Sequence, residues 1–135
     1  MKRRDFLRTS AGLAAGLSLT RAAPARAGSS RPARLGANEK AQVAFIGAGG
    51  RGRHLMAGEN LAEHADLVAV ADCDLAQIDG AAGVVPGSGR WTRYQDYRTL
   101  LDREKLDAVF VPTTTHARAL ICIHAMQAGL DVYAE

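Results

Sequence analysis

Residues 43–52 read VAFIGAGGRG, from Val43 to Gly52, and this stretch decides the fold. Val43, Ala44, Phe45 and Ile46 have the continuous apolar character of a buried parallel strand. They run into Gly47-x-Gly49-x-x-Gly52, and a helical pattern follows in Arg53, His54, Leu55 and Met56. Residues 67–72, LVAVAD, then read as a second buried strand with Asp72 at its end, 20 residues after Gly52. That spacing of strand, glycine turn, helix and acid is the pattern of a dinucleotide site. Gly47 permits the tight turn, Gly49 lets backbone approach a pyrophosphate, and Gly52 allows close helix–sheet packing. Gly50 and Arg51 stand in the same turn and are read with it as cofactor-binding. The helix start offers unpaired N–H groups and a positive dipole end. Asp72 is expected to accept hydrogen bonds from the adenosine ribose. A glycine-rich turn that serves packing alone is the competing reading.

Downstream the pattern alternates. Residues 74–79 read as a short helix, and the glycine-rich segment 80–89 as a loop. Trp91 to Tyr94 read as a short third strand and residues 97–102 as a helical turn or two. Residues 107–111 are another strand, which ends at Pro112, Thr113, Thr114, Thr115 and His116. Residues 117–128 have helical periodicity, with Gly129 placed to close the helix. Residues 130–134 form one more strand. Strands alternating with helices predict a Rossmann-type α/β fold, a doubly wound parallel sheet. Right-handed crossovers place the strand C-termini along one edge, where ligands bind. That edge gathers the glycine turn, Asp72, the 112–116 loop and Glu135. Thr113, Thr114 and Thr115 have hydroxyls for a ribose or a nicotinamide, or they cap the next helix. His116 reaches the cofactor, or is an ordinary first-turn residue.

The first 27 residues fall outside the fold. Residues 2–8, KRRDFLR, resemble a twin-arginine export motif, and a short glycine-containing apolar stretch follows. Residues 25–27, Ala-Arg-Ala, read as a signal-peptidase site. The competing readings are a basic disordered N-terminus and an uncleaved anchor. The apolar stretch is too short for a membrane span. Residues 28–38 read as a flexible leader, and 39–135 as the folded domain. The chain has 17 Lys and Arg and 14 Asp and Glu, but residues 1–27 hold six of the former and one of the latter. The remaining 11 basic and 13 acidic residues give net −2, so the overall basic charge does not argue for a nucleic-acid partner. Cys73 and Cys122 lack metal or redox spacing. A disulfide between them is possible in an oxidising compartment, and Cys122 otherwise reads as core. The histidines show no paired metal-ligand spacing.

Together these residues resemble the N-terminal domain of the Gfo/Idh/MocA oxidoreductase family, which includes glucose–fructose oxidoreductase and inositol dehydrogenase. The resemblance covers residues 41–135. It rests on Gly47-x-Gly49-x-x-Gly52, on Asp72, on residues 111–116 (VPTTTH) matching a Thr-Pro-x-x-x-His loop, and on residues 128–135 (AGLDVYAE) matching an Ala-Gly-Lys-x-Val-x-x-Glu run. Val111 replaces the usual threonine. The twin-arginine leader and the Gly-Gly-Arg-Gly turn resemble an exported subgroup.

The resemblance implies NAD as cofactor, with NADP disfavoured by Asp72, and cofactor contacts from Thr113, Thr114, His116 and Glu135. It implies a lysine after Glu135 and a C-terminal α+β domain carrying the substrate pocket and the oligomer interface. The sequence therefore reads as truncated, and no residue of it reads as catalytic. Three readings follow. One is the cofactor domain of an exported enzyme moving a hydride between NAD(P) and a sugar or cyclitol. Another is an NAD-dependent glycosidase of the same superfamily, where tryptophan commonly follows the loop proline; Thr113 speaks mildly against it. The third is a non-catalytic nucleotide-binding fragment. The export machinery is an expected partner, and a sugar-like substrate is expected only for a longer protein.

Overall fold

The computed structural model describes residues 39–58 and 61–135. The expected leader segments 1–27 and 28–38 lie outside the described residues. Five parallel strands form one sheet in the order β3-β2-β1-β4-β5. They are β1 (Ala41–Ile46), β2 (Ala65–Ala71), β3 (Thr92–Tyr94), β4 (Ala108–Val111) and β5 (Asp131–Ala134). The helices are α1 (Gly50–Met56), α2 (Leu61–His64), α3 (Leu75–Ala82), α4 (Tyr97–Arg103) and α5 (Thr115–Gln127), with a 3₁₀ turn at Ser88–Arg90. The order of the strands reverses between β1 and β4, and a crevice opens there.

Alternate residues along each strand supply two separate cores. Ala44, Ile46, Ala69, Ala71, Val109 and Val111 pack with Leu100 of α4 and with Ile121 and Ala125 of α5. Phe45 and Val70 face the other way, against Met56, Ile78, Ala81, Val85 and Trp91. Both faces of the central strands are thus covered, and their apolar runs are unbroken for that reason. The Phe45 ring lies flat on Phe110, with centroids 4.6 Å apart, and Phe110 meets Tyr133 at 5.4 Å. Truncating the fully buried Phe45 to alanine costs about 3–5 kcal/mol by the usual core penalty.

Local chemistry fixes the element ends. Asp74 caps α3 by accepting from the Ala76 N–H at 3.0 Å, and Asp96 caps α4 by accepting from the Arg98 N–H at 2.9 Å. Gly129 closes α5 as expected. Its φ is +84°, its N–H donates to the Met126 carbonyl, and the Leu130 N–H donates to the Ala125 carbonyl, a Schellman pair.

Several boundaries differ from expectation. The loop expected from Gly80 begins only after Ala82, because α3 runs through Gly80. A guanidinium, that of Arg53, lies against this glycine. The strands β1 and β2 start two residues earlier than expected, at Ala41 and Ala65. Ala41 pairs with Ala65, and Gln42 with Asp66. A register shift between Val43 and Ala44 interrupts that ladder. The short α2 carried no sequence signal. Cys73 is exposed, Cys122 is half-buried, and both are free thiols, so the possible disulfide is not formed.

Candidate functional site

The strand C-termini open onto a cleft of about 360 Å³ between the glycine turn, Asp72 and the loop after β4. Gly47 leaves β1 with φ +114°, a conformation that L side chains avoid. A Cβ there would also sit 3.1 Å from Thr113 Cγ2 and 3.2 Å from the Pro112 carbonyl oxygen. Gly52 faces the turn itself. A Cβ on it would overlap the Gly47 carbonyl oxygen and lie 3.1 Å from the Gly47 carbonyl carbon. Gly49 and Gly50 have ordinary backbone angles and nothing within 4 Å of an added Cβ. Gly49 lines the cleft, and open space beside it is what a ligand group approaching the backbone requires. It is also the N-cap of α1, where no side chain caps the helix. The first-turn N–H groups therefore have no side-chain acceptor there.

Asp72 follows β2 and is tied to this turn. Its Oδ2 accepts from the Ala48 N–H at 2.8 Å, and its Oδ1 accepts from the Asp74 N–H at 3.0 Å. A carboxylate has roughly four lone-pair sites, so capacity for further donors remains. The sequence placed Asp72 near a ribose; it gave no sign that the same carboxylate braces the glycine turn.

The opposite lip is the loop after β4. The Thr113 Oγ1 is buried without a hydrogen-bond partner, and so is the Arg118 Nε, while the Arg118 Nη2 donates to the Thr113 carbonyl at 2.6 Å. Thr114 occupies the N-cap of α5, yet its hydroxyl makes no capping bond and lies 3.5 Å from His116 Nε2. Capping by side chain therefore does not account for Thr114. Thr115 and His116 are exposed in the first turn of α5, and His116 lines the cleft. At the end of β5, Glu135 accepts from the Arg51 guanidinium through Oε1 and from the Tyr133 hydroxyl at 2.9 Å through Oε2. The hydrogen bond from Arg51, then that from Tyr133, holds the Glu135 carboxyl below its ordinary range. Tyr133 is correspondingly raised, first by its bond to Glu135.

All ten expected site residues thus border one edge of the sheet. Cys73, expected beside the adenosine because it follows Asp72, lines the cleft too; sequence reasoning missed Gln95 and Tyr97, which also line it, and Arg53 and Arg118, which brace its two lips. Nothing in the residue pattern marked the arginines, since each acts on a backbone carbonyl. A larger hollow of about 560 Å³ opens beside Lys40, Asp66 and Trp91, at the N-terminal ends of the strands. None of the expected site residues lies there. No cluster of metal-ligating side chains occurs among the described residues.

The geometry fits a dinucleotide on three counts: the glycine cradle is open, the helix start is uncapped, and a buried hydroxyl on the facing lip has no partner. Comparisons with known proteins agree in fold. The myo-inositol 2-dehydrogenase of Lactobacillus plantarum superposes with a TM-score of 0.61 at 31% identity, over 71% of this chain and 28% of that one. The WlbA dehydrogenase of Chromobacterium violaceum, solved in complex with NADH and UDP-GlcNAcA, gives 0.64 at 23% identity, over 73% and 28%. A glycosyl hydrolase family 109 protein of Stenotrophomonas maltophilia is 34% identical across the whole of this chain, which spans 29% of its length. Residues 41–135 match the model of the oxidoreductase family described as having an NAD-binding Rossmann fold. The chain therefore belongs to the Gfo/Idh/MocA oxidoreductase family, as its NAD-binding Rossmann domain.

Proposed function

We propose that the cleft binds NAD(H) in preference to NADP(H), as the cofactor half of an exported enzyme acting on a sugar or cyclitol. The observation that carries this reading is the open Gly47–Gly52 turn braced by Asp72 at the β1–β4 reversal. Gly47, Gly49, Gly50 and Gly52 admit the pyrophosphate to backbone N–H groups, and Arg51 adds positive charge beside it. Asp72 has lone pairs for the ribose hydroxyls, and its charge opposes a 2′-phosphate. Thr113, Thr114, His116 and Glu135 border the far end, where they orient the nicotinamide half. The bound cofactor supplies hydride transfer, and the protein supplies orientation and electrostatics. The N-terminal Arg3–Arg4 pair supports export by the twin-arginine route, which carries folded proteins.

A second reading is supported by the glycosyl hydrolase relative: transient oxidation by the same cofactor in the service of glycoside cleavage. Thr113 follows the loop proline in place of a tryptophan and leans against it. An assay with aryl glycosides, beside free sugars and NAD, separates the two. For the cofactor site itself, the chain is titrated with NADH and NADPH in a calorimeter, with Gly49→Val as control. Tighter binding of NADH, lost in the control, is expected. Equal affinities would remove the NAD preference, and heat unchanged by Gly49→Val would remove the site.

A further inference from the structure

Ala48 sits inside the glycine turn, fully buried, with its N–H donating to Asp72 Oδ2 at 2.8 Å. Its carbonyl is held too, since it accepts from Arg53 Nε at 3.1 Å. Arg53 lies one turn along α1 and folds back over the turn that precedes its own helix. The far end of its guanidinium crosses to α3, where Nη2 donates to Gln77 Oε1 at 2.7 Å. Gly80, one turn further along α3, lies beneath it. A Cβ there would stand 2.6 Å from Nη2 and 2.9 Å from Cζ of Arg53. A glycine inside a helix is unfavourable, and here its missing side chain is the space the guanidinium occupies.

We propose that Arg53 is the positioning residue of the dinucleotide turn, acting through the Ala48 carbonyl, with Gly80 as the notch that seats it. The inference rests on the reading of the cleft as an NAD site. Asp72 holds the Gly47–Ala48 peptide by its N–H and Arg53 holds the Ala48–Gly49 peptide by its carbonyl, so both peptide groups that flank the Ala48 Cα are fixed and the turn cannot pivot there. The same guanidinium joins the turn to α3, the helix that follows Asp72. The two parts of the site that face the adenosine and the phosphates are thereby held in one geometry. A turn ordered in advance loses less freedom when a ligand binds. Arg53 raises cofactor affinity in this way without touching the cofactor.

The test uses Arg53→Met, Gly80→Ala and the double variant of the full chain. Arg53→Met keeps the apolar stem and removes the donors. Gly80→Ala keeps Arg53 but takes its seat, and the long side chain can swing into solvent without unfolding the protein. Two quantities are read: the NADH dissociation constant, and the amide exchange rate of Ala48 against those of Val70 and Val109 in the strands. Loss of a charged hydrogen bond predicts roughly a tenfold rise in both quantities for each single variant. The double variant should be no worse than the worse single, because both substitutions break one contact. Val70 and Val109 should exchange as in the wild type, which a general loss of stability would not allow. An Ala48 amide that exchanges at the wild-type rate in Arg53→Met overturns the proposal. So does an additive double variant. If the wild-type chain fails to bind NADH, the functional reading falls, and the amide comparison still decides the role of Arg53.

Discussion

Replacing Gly49 and Gly52 one at a time by alanine should separate ligand contact from packing within a single turn. At Gly52 the new methyl overlaps the Gly47 carbonyl oxygen and comes within 3.5 Å of Pro112 Cγ. The nearest atoms are backbone, so α1 must move off the sheet. Overpacking of this kind costs about 1–3 kcal/mol. A domain of this size loses about 4–8 °C of Tm per kcal/mol, so Gly52→Ala should lower Tm by at least about 4 °C. At Gly49 the methyl meets nothing, and φ is an ordinary −67°. The fold loses only the preference for glycine over alanine at an N-cap, about 1 kcal/mol or less. The methyl instead fills the space assigned to the pyrophosphate. Losing one charge-assisted hydrogen bond there, about 1.5–3 kcal/mol, lowers NADH affinity roughly ten- to a hundredfold. Thermal unfolding by circular dichroism and titration by NADH fluorescence read the two effects. A Gly49→Ala protein that binds NADH like the wild type would refute the pyrophosphate assignment. A Gly52→Ala protein with unchanged Tm would refute the packing argument.

Three other outcomes are expected. Asp72→Ala should weaken NADH binding and narrow any margin over NADPH, because it removes both the ribose acceptor and the partner of the Ala48 N–H; an unchanged ratio of the two dissociation constants would exclude Asp72 from cofactor choice. Exchanging Arg3 and Arg4 for lysine should leave the precursor in the cytoplasm, and periplasmic material in a fractionation blot would show that export uses another route. Glu135 has a depressed folded-state pKa, so its contribution is present above its ordinary value of 4.5 and is lost as pH falls through the lower folded value. Its carboxyl carbon resonance should therefore titrate below 4.5 in the wild type and move upward in Arg51→Gln, whereas coincident curves would mean that Arg51 is not the cause.

The fold was legible in the sequence wherever burial is two-sided. Phe45, Val70 and Val109 lie in strands covered on both faces, so their apolar runs are continuous and bounded by turn residues. Glycine at 129 announced the end of α5 because only a positive φ suits that position. The errors came where a distant residue decided the outcome. Nothing local to Gly80 says that an arginine 27 residues earlier lies against it, so a loop was the natural expectation. The start of β2 is polar at Asp66 and is recruited by backbone pairing with Gln42, which periodicity does not register. The same division holds for the site. Residues whose type and spacing mark the cleft, such as Gly47, Gly49 and Asp72, were visible. Residues that steady them through backbone carbonyls, Arg53 and Arg118, were not, because a carbonyl partner leaves no trace in side-chain chemistry.

The strand order carries a consequence for the order of assembly. The cleft has one lip at Gly47 and the other at Pro112 and Thr113, 65 residues later in the chain. A ribosome releases the glycine turn long before the strand that completes its surroundings, and β1 can pair with β2 while its other side still waits for β4. Closing that long loop is the slow kind of step in folding. We therefore expect a nascent chain to gain NADH affinity late and abruptly, when β4 docks, and not in proportion to length. Stalled chains ending just before Ala108 should hold no cofactor although the whole glycine turn has been made, whereas graded binding by such chains would show that the turn matures alone. Under the proposed export of a folded protein, cofactor loading would then report that the centre of the sheet is closed.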